Sequence, residues 1–157
     1  MNFTKEQTEA MCVKYGPQVG PLPAGVDGTQ LLWGMVGTES SFGTDCTPRH
    51  EPAFDVGGRY GSSPVMVALL AKYGPAAACS YGPLQIMLCN ATGASPQDFD
   101  TLDQAFQLTL PFLNSRLRRF KPQSLAEIGE IWNAGSIRPD PTYVAKLQSN
   151  YVVPMGE

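Results

Sequence analysis

The segment LLWGMVGTESSFG, Leu31 to Gly43, is an apolar run that ends in a single carboxyl group. From Leu31 onward, apolar residues recur at i, i+1, i+4 and i+5, a spacing that predicts a helix with a broad buried face. We expect this helix to begin around residues 27–29. Glu39 falls in its last turn, where poor solvation and the helix dipole favour the neutral carboxyl group and raise its pKa. The segment therefore predicts a general acid at Glu39.

The length and net charge of the chain limit the classes of protein to which it can belong. At 157 residues, with 11 Lys+Arg, 14 Asp+Glu and a formal charge of -3, the chain fits one domain (1–157) and has no basic footprint for nucleic acid. The basic residues Arg116, Arg118 and Arg119 are predicted to form a solvated helix face. No apolar run is long enough to span a bilayer. We therefore expect a monomer that makes no stable insertion into a membrane.

The four cysteines and the one histidine form no recognisable metal motif. Cys12, Cys46, Cys79 and Cys89 are too widely spaced for a CxxC pair and His50 has no second histidine, so we expect no metal and no cofactor. Two disulfides and four free thiols remain equally open. A Cys–His nucleophile would need His50 beside Cys46 or Cys79, and no feature of the sequence favours either arrangement.

Start and stop signals around the central segment predict a mainly α domain with at most a small hairpin or sheet. Further helices are expected to begin at Thr4, Ser63, Asp100 or Thr101, Ser124 and Asp140. Thr4 with Gln7 and Ser124 with Glu127 both match the capping box. Pro111 is expected to kink or split its helix. Residues 80–87 (SYGPLQIM) favour a short hairpin or a strand that runs into a helix.

Three separated segments each place a polar group among apolar or small residues at the boundary of an element. They are Glu39-Ser40, residues 82–85 (GPLQ) and residues 132–135 (WNAG), the last followed by Tyr143-Val144. Their order and chemistry resemble the catalytic domain of lytic transglycosylases and goose-type lysozymes. In that family Glu-Ser follows an apolar helix, Gly-x-x-Gln follows a loop, and Tyr-Asn-Ala-Gly precedes Tyr-Val on a closing helix. The resemblance covers residues 30–151.

The resemblance implies a lysozyme-like fold that cleaves the β-1,4 bond between N-acetylmuramic acid and N-acetylglucosamine in peptidoglycan. It implies sugar contacts at Gln85 and Asn133, and a Tyr143 hydroxyl beside Glu39. Ser40 would bind substrate or Glu39. From the residues alone, Ser40 and Asn133 also fit helix caps. Gln85 also fits a turn-stabilising amide, and Tyr143 a core aromatic.

The sequence departs from the family's pattern at two points. Trp132 stands where the family has a tyrosine, which keeps a plane for sugar stacking but replaces a phenol with an indole N–H. In addition, a Gly- and Pro-rich excursion at residues 41–62, together with the helix after it, separates Glu39 from Gly82 by more than we expect of a transglycosylase. Loops of this length are usually functional or disordered, and the aromatic and charged residues in this one favour a function.

The excursion bears on the reaction because it supplies two candidate bases, Glu51 and Asp55. A second carboxylate about 6.5–9.5 Å from the acid can activate water and invert the anomeric centre. Without one, the C6 hydroxyl of the sugar closes the ring and gives the 1,6-anhydro product of a lytic transglycosylase. Residues 52–54 restrict the solvation of Glu51, so Glu51 is the preferred base, although both carboxylates also fit loop charges paired with Arg49 or Arg59.

Hydrolysis is the preferred reaction, and a non-catalytic peptidoglycan-binding module is the alternative outside catalysis. The start of the chain, MNFTKEQTEAM, lacks the continuous apolar core of an export signal. This predicts an endolysin-like enzyme of a phage, made in the cytoplasm and acting on the cell wall after release, or a secreted enzyme whose signal has been removed. Its partner would be the peptidoglycan glycan strand. The enzyme would act either as a free protein or as a wall-cutting component of a phage tail or secretion apparatus.

Overall fold

The computed structural model describes residues 1–156 and confirms a mainly α fold with a small sheet. Within these residues there are six α-helices: α1 (Lys5–Tyr15), α2 (Gly28–Ser40), α3 (Pro64–Tyr73), α4 (Leu102–Phe120), α5 (Leu125–Ala134) and α6 (Pro141–Tyr151). One antiparallel sheet has the strand order β1 (Arg49–His50), β2 (Cys79–Tyr81) and β3 (Ile86–Met87). Over the same residues, no helix combines the length and the apolar character needed to cross a bilayer.

Helix α2 forms the centre of the core because it is apolar on nearly all sides. Five of its side chains have no exposed surface: Leu31, Leu32, Trp33, Met35 and Val36. The helix packs most extensively against α6, and residues of α1, α4 and α5 complete the same core cluster. The Asp27 carboxylate caps the start of α2 by accepting a hydrogen bond from the Gln30 N–H at 2.9 Å. The predicted start and broad buried face of this helix are confirmed.

Gly34 allows α6 to approach α2 closely. A Cβ atom at this position would lie 3.0 Å from the Cα atom of Tyr151 and 3.2 Å from a methyl group of Leu147. Any larger side chain would therefore meet the backbone of α6. Because α6 also carries Tyr143, this contact helps to set the position of that residue relative to α2.

Helices begin where the capping signals predict, although Thr101 and Asp140 make no side-chain cap hydrogen bond. Thr4 and Gln7 form the reciprocal capping box, with hydrogen bonds of 3.1 and 2.9 Å. At the start of α5, the Ser124 hydroxyl accepts from the Glu127 N–H at 3.2 Å, as predicted. The second hydrogen bond of the predicted capping box, from the Ser124 N–H to Glu127, does not form. The Glu127 carboxylate accepts from the N–H of Gln123 instead.

Helix α4 continues through Pro111, so of the two effects predicted for this proline, a kink or a split, the split is wrong. Proline removes the donor that the Gln107 carbonyl group would use. Both residues are exposed, so water can hydrate the freed carbonyl. The opposite face of the helix, which includes Phe106, Leu110 and Leu113, is buried on both sides of the proline along the chain.

The excursion at residues 41–62 is more ordered than its composition predicts. Residues 49–50 form the edge strand β1, in which Arg49 pairs with Ser80 and His50 with Cys79. The Glu51 N–H then donates to the Ala78 carbonyl group at 2.8 Å. Strand β2 pairs in turn with β3, so residues 80–87 form the predicted hairpin. The sheet thus attaches the excursion to the hairpin.

Candidate active site

A groove of about 880 Å³ is lined by residues of α2 to α5, the sheet and the segments around them. Its volume falls in the range typical of ligand-binding clefts. Among the predicted site residues, those in the lining are Glu39, Glu51, Gln85, Trp132 and Asn133. Ser40, Asp55 and Tyr143 lie outside the lining. The structure therefore brings most of the predicted residues, from distant parts of the sequence, to one concave surface.

The Glu39 carboxyl group is nearly buried and is held through one of its oxygens. Its side chain is 11% exposed. The Tyr143 hydroxyl donates to Glu39 Oε1 at 2.7 Å, and Trp132 Nε1 donates to the same oxygen at 3.1 Å. Two donors on Oε1 leave Oε2 as the oxygen that can carry a transferable proton.

Burial raises the pKa of Glu39 above its ordinary value. The hydrogen bond from Tyr143, the positive charge of Arg49 and the hydrogen bond from Trp132 favour the carboxylate and oppose this rise, whereas the charge of Glu51 adds to it. Removal from water is the largest of these effects, so the net pKa shift is upward. Glu39 keeps its proton to a higher pH than an exposed glutamate does.

Arg49 is a site residue that the sequence analysis missed. Its Nη1 lies 3.7 Å from Glu39 Oε2, and its Nη2 donates to the Glu39 backbone carbonyl at the end of α2. A cation is favourable at this end of a helix. From the sequence alone, Arg49 is expected only to pair with Glu51 or Asp55. A two-residue strand has no periodicity, so no local signal indicated that pairing of β1 with β2 brings Arg49 to Glu39.

Tyr143 and Trp132 approach Glu39 from α6 and α5. The prediction that the Tyr143 hydroxyl lies beside Glu39 is confirmed. Trp132 does more than supply a ring, because its indole N–H also binds Glu39 and its ring packs edge-on against Phe112, with centroids 5.8 Å apart. Trp132 thus supplies a hydrogen-bond donor as well as an aromatic ring.

Ser40 does not face the groove. It is 1% exposed, and its hydroxyl lies 2.7 Å from the Pro83 carbonyl oxygen and 3.0 Å from that of Val36, while it accepts from the Gly43 N–H at 3.0 Å. The expectation that Ser40 binds substrate or Glu39 is therefore wrong, because its hydroxyl is surrounded by backbone groups. Ser40 instead joins the end of α2 to the turn of the hairpin.

Gln85 lines the groove, but its amide stabilises the hairpin turn. Oε1 accepts from the Ser80 hydroxyl at 2.9 Å, and Nε2 donates to the Gly82 carbonyl at 2.9 Å. These bonds hold Gln85 in the left-handed region, at a φ of 48°, which is unfavourable for a residue with a Cβ atom. Of the two roles expected of Gln85, these contacts are those of an amide that stabilises a turn. One N–H of Nε2 remains for a ligand.

The two candidate bases lie in different surroundings. Glu51 lines the groove with Glu39. Asp55 is outside the lining, and its carboxylate pairs with His50 Nε2 at 2.8 Å. Asp55 is therefore not placed to activate a water molecule beside Glu39. Asn133 borders the groove, and its Nδ2 donates to the Asp140 carboxylate at 2.7 Å.

The cysteines are all free thiols, which resolves the open choice between thiols and disulfides. His50 lies opposite Cys79 in the sheet, yet its Nε2 pairs with Asp55, and the Cys79 Sγ lies 3.8 Å from the Pro75 carbonyl oxygen. Burial raises the pKa of Cys79, so this thiol stays protonated and is a poor nucleophile. Among residues 1–156, no three His, Cys, Asp or Glu side chains are grouped to hold a metal ion.

Comparisons of the chain with models of protein families, with curated proteins and with solved structures found no match. A nearly buried carboxyl group with a raised pKa and one oxygen that accepts no hydrogen bond from residues 1–156, bordering a groove, is suited to protonate an oxygen atom of a bound ligand.

Proposed function

We propose that this chain cleaves the β-1,4 bond between N-acetylmuramic acid and N-acetylglucosamine in peptidoglycan glycan strands, with Glu39 as the general acid. The observation that carries the proposal is the Glu39 carboxyl group itself, which borders the groove, has a raised pKa and is held through Oε1 by two donors. Cleavage of a glycosidic bond requires protonation of a poor leaving alkoxide, and such an acid contributes roughly 10²–10⁴ in rate.

The connections among the sequence motifs support the proposal. Trp132 and Tyr143 bind Glu39, and Ser40 binds Pro83 in the Gly-x-x-Gln turn. The motifs that resemble lytic transglycosylases and goose-type lysozymes are therefore joined by hydrogen bonds to the Glu39-Ser40 pair, Trp132 and Tyr143 through the carboxyl group and the hairpin turn through the Ser40 hydroxyl. A chain that only bound the wall would have no need of this carboxyl group, because burial of an ionisable group is unfavourable.

In the proposed reaction, Glu39 Oε2 gives its proton to the glycosidic oxygen as the bond from that oxygen to C1 breaks. Tyr143, Trp132 and Arg49 then stabilise the carboxylate that remains. Glu51 removes a proton from a water molecule, whose oxygen bonds to C1 of the oxocarbenium-like sugar. The presence of Glu51 in the groove favours hydrolysis over attack by the sugar's own C6 hydroxyl, which is the transglycosylase alternative.

Digestion of purified peptidoglycan, followed by mass spectrometry of the fragments, tests the proposal. We expect the wild-type chain to release fragments with reducing ends, and Glu39→Gln to lose roughly 10²–10⁴ in rate. Glutamine keeps an oxygen that can accept from Tyr143 and Trp132, so the fold should persist. Fragments lighter by one water molecule would indicate anhydro-sugar formation instead of hydrolysis.

The matched control is Glu130→Gln, on α5 and outside the lining of the groove, which should leave the rate unchanged. If the wild-type chain binds peptidoglycan without cutting it, and Glu39→Gln binds equally well, the chain is a binding module and the proposed activity is wrong.

A further inference from the structure

The groove is more positive than the chain as a whole. Four arginines and two glutamates line it, whereas the complete chain has a formal charge of -3. One of the arginines, Arg49, is engaged with Glu39. The other three, Arg59, Arg116 and Arg138, have no carboxylate within 4.0 Å among residues 1–156. The groove thus offers positive charge that the described part of the chain does not neutralise.

Arg116 is the most enclosed of these three arginines. It is half-buried, and its guanidinium group lies 4.8 Å from the ring centroid of Phe112 and 5.9 Å from that of Phe120. Burial, with the nearby charge of Arg119, lowers the pKa of Arg116, although an arginine stays charged at any physiological pH. Arg116 is therefore a cation in a partly desolvated place, positioned by aromatic rings and paired with no carboxylate of residues 1–156.

Two aromatic side chains in contact connect Arg116 to the proposed acid. The Arg116 guanidinium lies over Phe112, Phe112 meets Trp132 edge-on at 5.8 Å, and Trp132 donates to Glu39 at 3.1 Å. Phe112, Arg116 and Trp132 all line the groove. A ligand group held by Arg116 would thus lie two aromatic rings along the groove from the Glu39 carboxyl group.

We propose that Arg116 binds a carboxylate carried by the glycan and thereby selects which sugar unit stands at Glu39. The inference rests on the proposed function. A guanidinium group recognises a carboxylate through two parallel hydrogen bonds, which fix orientation as well as charge. In peptidoglycan, the carboxylate comes from the lactyl ether of muramic acid where no peptide is attached, or from the peptide where one is. N-acetylglucosamine carries neither, so a bound carboxylate distinguishes the two alternating sugars.

The test measures the Kd of three glycans by calorimetry in the full chain with Glu39→Gln, so that no ligand is cut. The glycans are peptide-bearing strands, strands freed of peptide, and neutral chitin oligosaccharides. We expect Arg116→Gln to weaken binding of an anionic glycan about tenfold to a hundredfold more than binding of the neutral one. A loss restricted to peptide-bearing strands assigns the peptide carboxylate, and a loss restricted to peptide-free strands assigns the lactyl carboxylate. Either loss should shrink at high salt.

The matched control is Arg118→Gln, on the same helix, exposed and outside the lining of the groove, which should not change any of the three Kd values. Arg116→Lys keeps the charge without the planar fork, so it should lose less affinity than Arg116→Gln, and it provides a second variant if the first fails to fold. Equal effects of Arg116→Gln on anionic and neutral glycans, or no effect, would overturn the anion site while Glu39 remained the acid. Failure of the proposed function looks different, because the wild-type chain would then leave every glycan uncut.

Discussion

The contacts of Glu39 act in opposite directions on its protonation. Burial raises its pKa, whereas Tyr143, Arg49 and Trp132 stabilise the anion. Hydrogen bonds to a carboxylate are stronger than those to a neutral acid, so these contacts strengthen as the proton leaves. The same side chains therefore hold the acid in place before the proposed reaction and stabilise the carboxylate after it.

Tyr143→Phe should shift the alkaline limb of the pH–rate profile to higher pH. Activity requires protonated Glu39, so it falls as the pH rises through the pKa of Glu39. Loss of the Tyr143 hydroxyl removes the largest contact that lowers this pKa, so the pKa rises further and the fall in activity occurs at higher pH. The rate at the optimum should drop roughly tenfold, because the carboxylate product loses a hydrogen bond.

The measurement for Tyr143→Phe is kcat/KM against pH on glycan strands, which reports the protonation of the free enzyme. Tyr73→Phe, on α3 and outside the lining of the groove, is the control and should leave the profile in place. A limb that moved to lower pH would contradict the role assigned to the Tyr143 hydroxyl.

Strand β1 and the turn after it determine which carboxylate reaches the groove. Glu51 lines it, whereas Asp55 is held by His50.

We expect Glu51→Gln to slow hydrolysis by roughly 10²–10⁴, because the attacking water molecule loses its base, and to increase the share of anhydro ends. Asp55→Asn keeps an acceptor for His50 and should cause a much smaller loss. Timed digestion with mass spectrometry compares them, and a larger loss for Asp55→Asn would assign the base to Asp55 instead.

The packing of α6 on α2 can be tested at Gly34. Alanine there meets the backbone of Tyr151, so α6 must shift by a few tenths of an ångström. We expect Gly34→Ala to reduce the free energy of unfolding by about 1 kcal/mol, since overpacking exceeds the gain in helix propensity. Gly129→Ala is the comparison, because it meets only side-chain atoms of Leu147, Tyr143 and Val144, which can move. Urea unfolding measures both, and a Gly34→Ala chain at least as stable as Gly129→Ala would argue against backbone contact at α6.

Across the molecule, the four thiols differ in exposure and form no cross-links. Burial raises the pKa of every one of them, so all should react slowly with iodoacetamide. The half-buried Cys79 and Cys89 should be labelled first, and the buried Cys12 and Cys46 last. Peptide mass spectrometry over time measures the order. After denaturation without a reductant all four should be labelled, and a chain lighter by two hydrogen atoms would instead reveal a disulfide.

Much of the fold could be predicted from patterns between residues a few positions apart. The apolar spacing of residues 31–36 predicted the buried helix α2, and the capping signals at Thr4 and Ser63 identified where helices begin. Glu39 stood out for the same reason, because a lone carboxyl group after an apolar run is visible in the sequence itself. These features depend on local hydrogen bonds and on helical periodicity, both of which involve residues that are close together in the sequence.

The surroundings of Glu39 depend instead on residues that meet only when the chain has folded. Pairing of β1 with β2 brings Arg49 to Glu39 and leaves Asp55 with His50, and burial of Ser40 removes it from the groove. Neither a two-residue strand nor a single hydroxyl leaves a periodic trace. Contacts between residues far apart in sequence are set by how helices and strands pack, and no local pattern specifies that geometry.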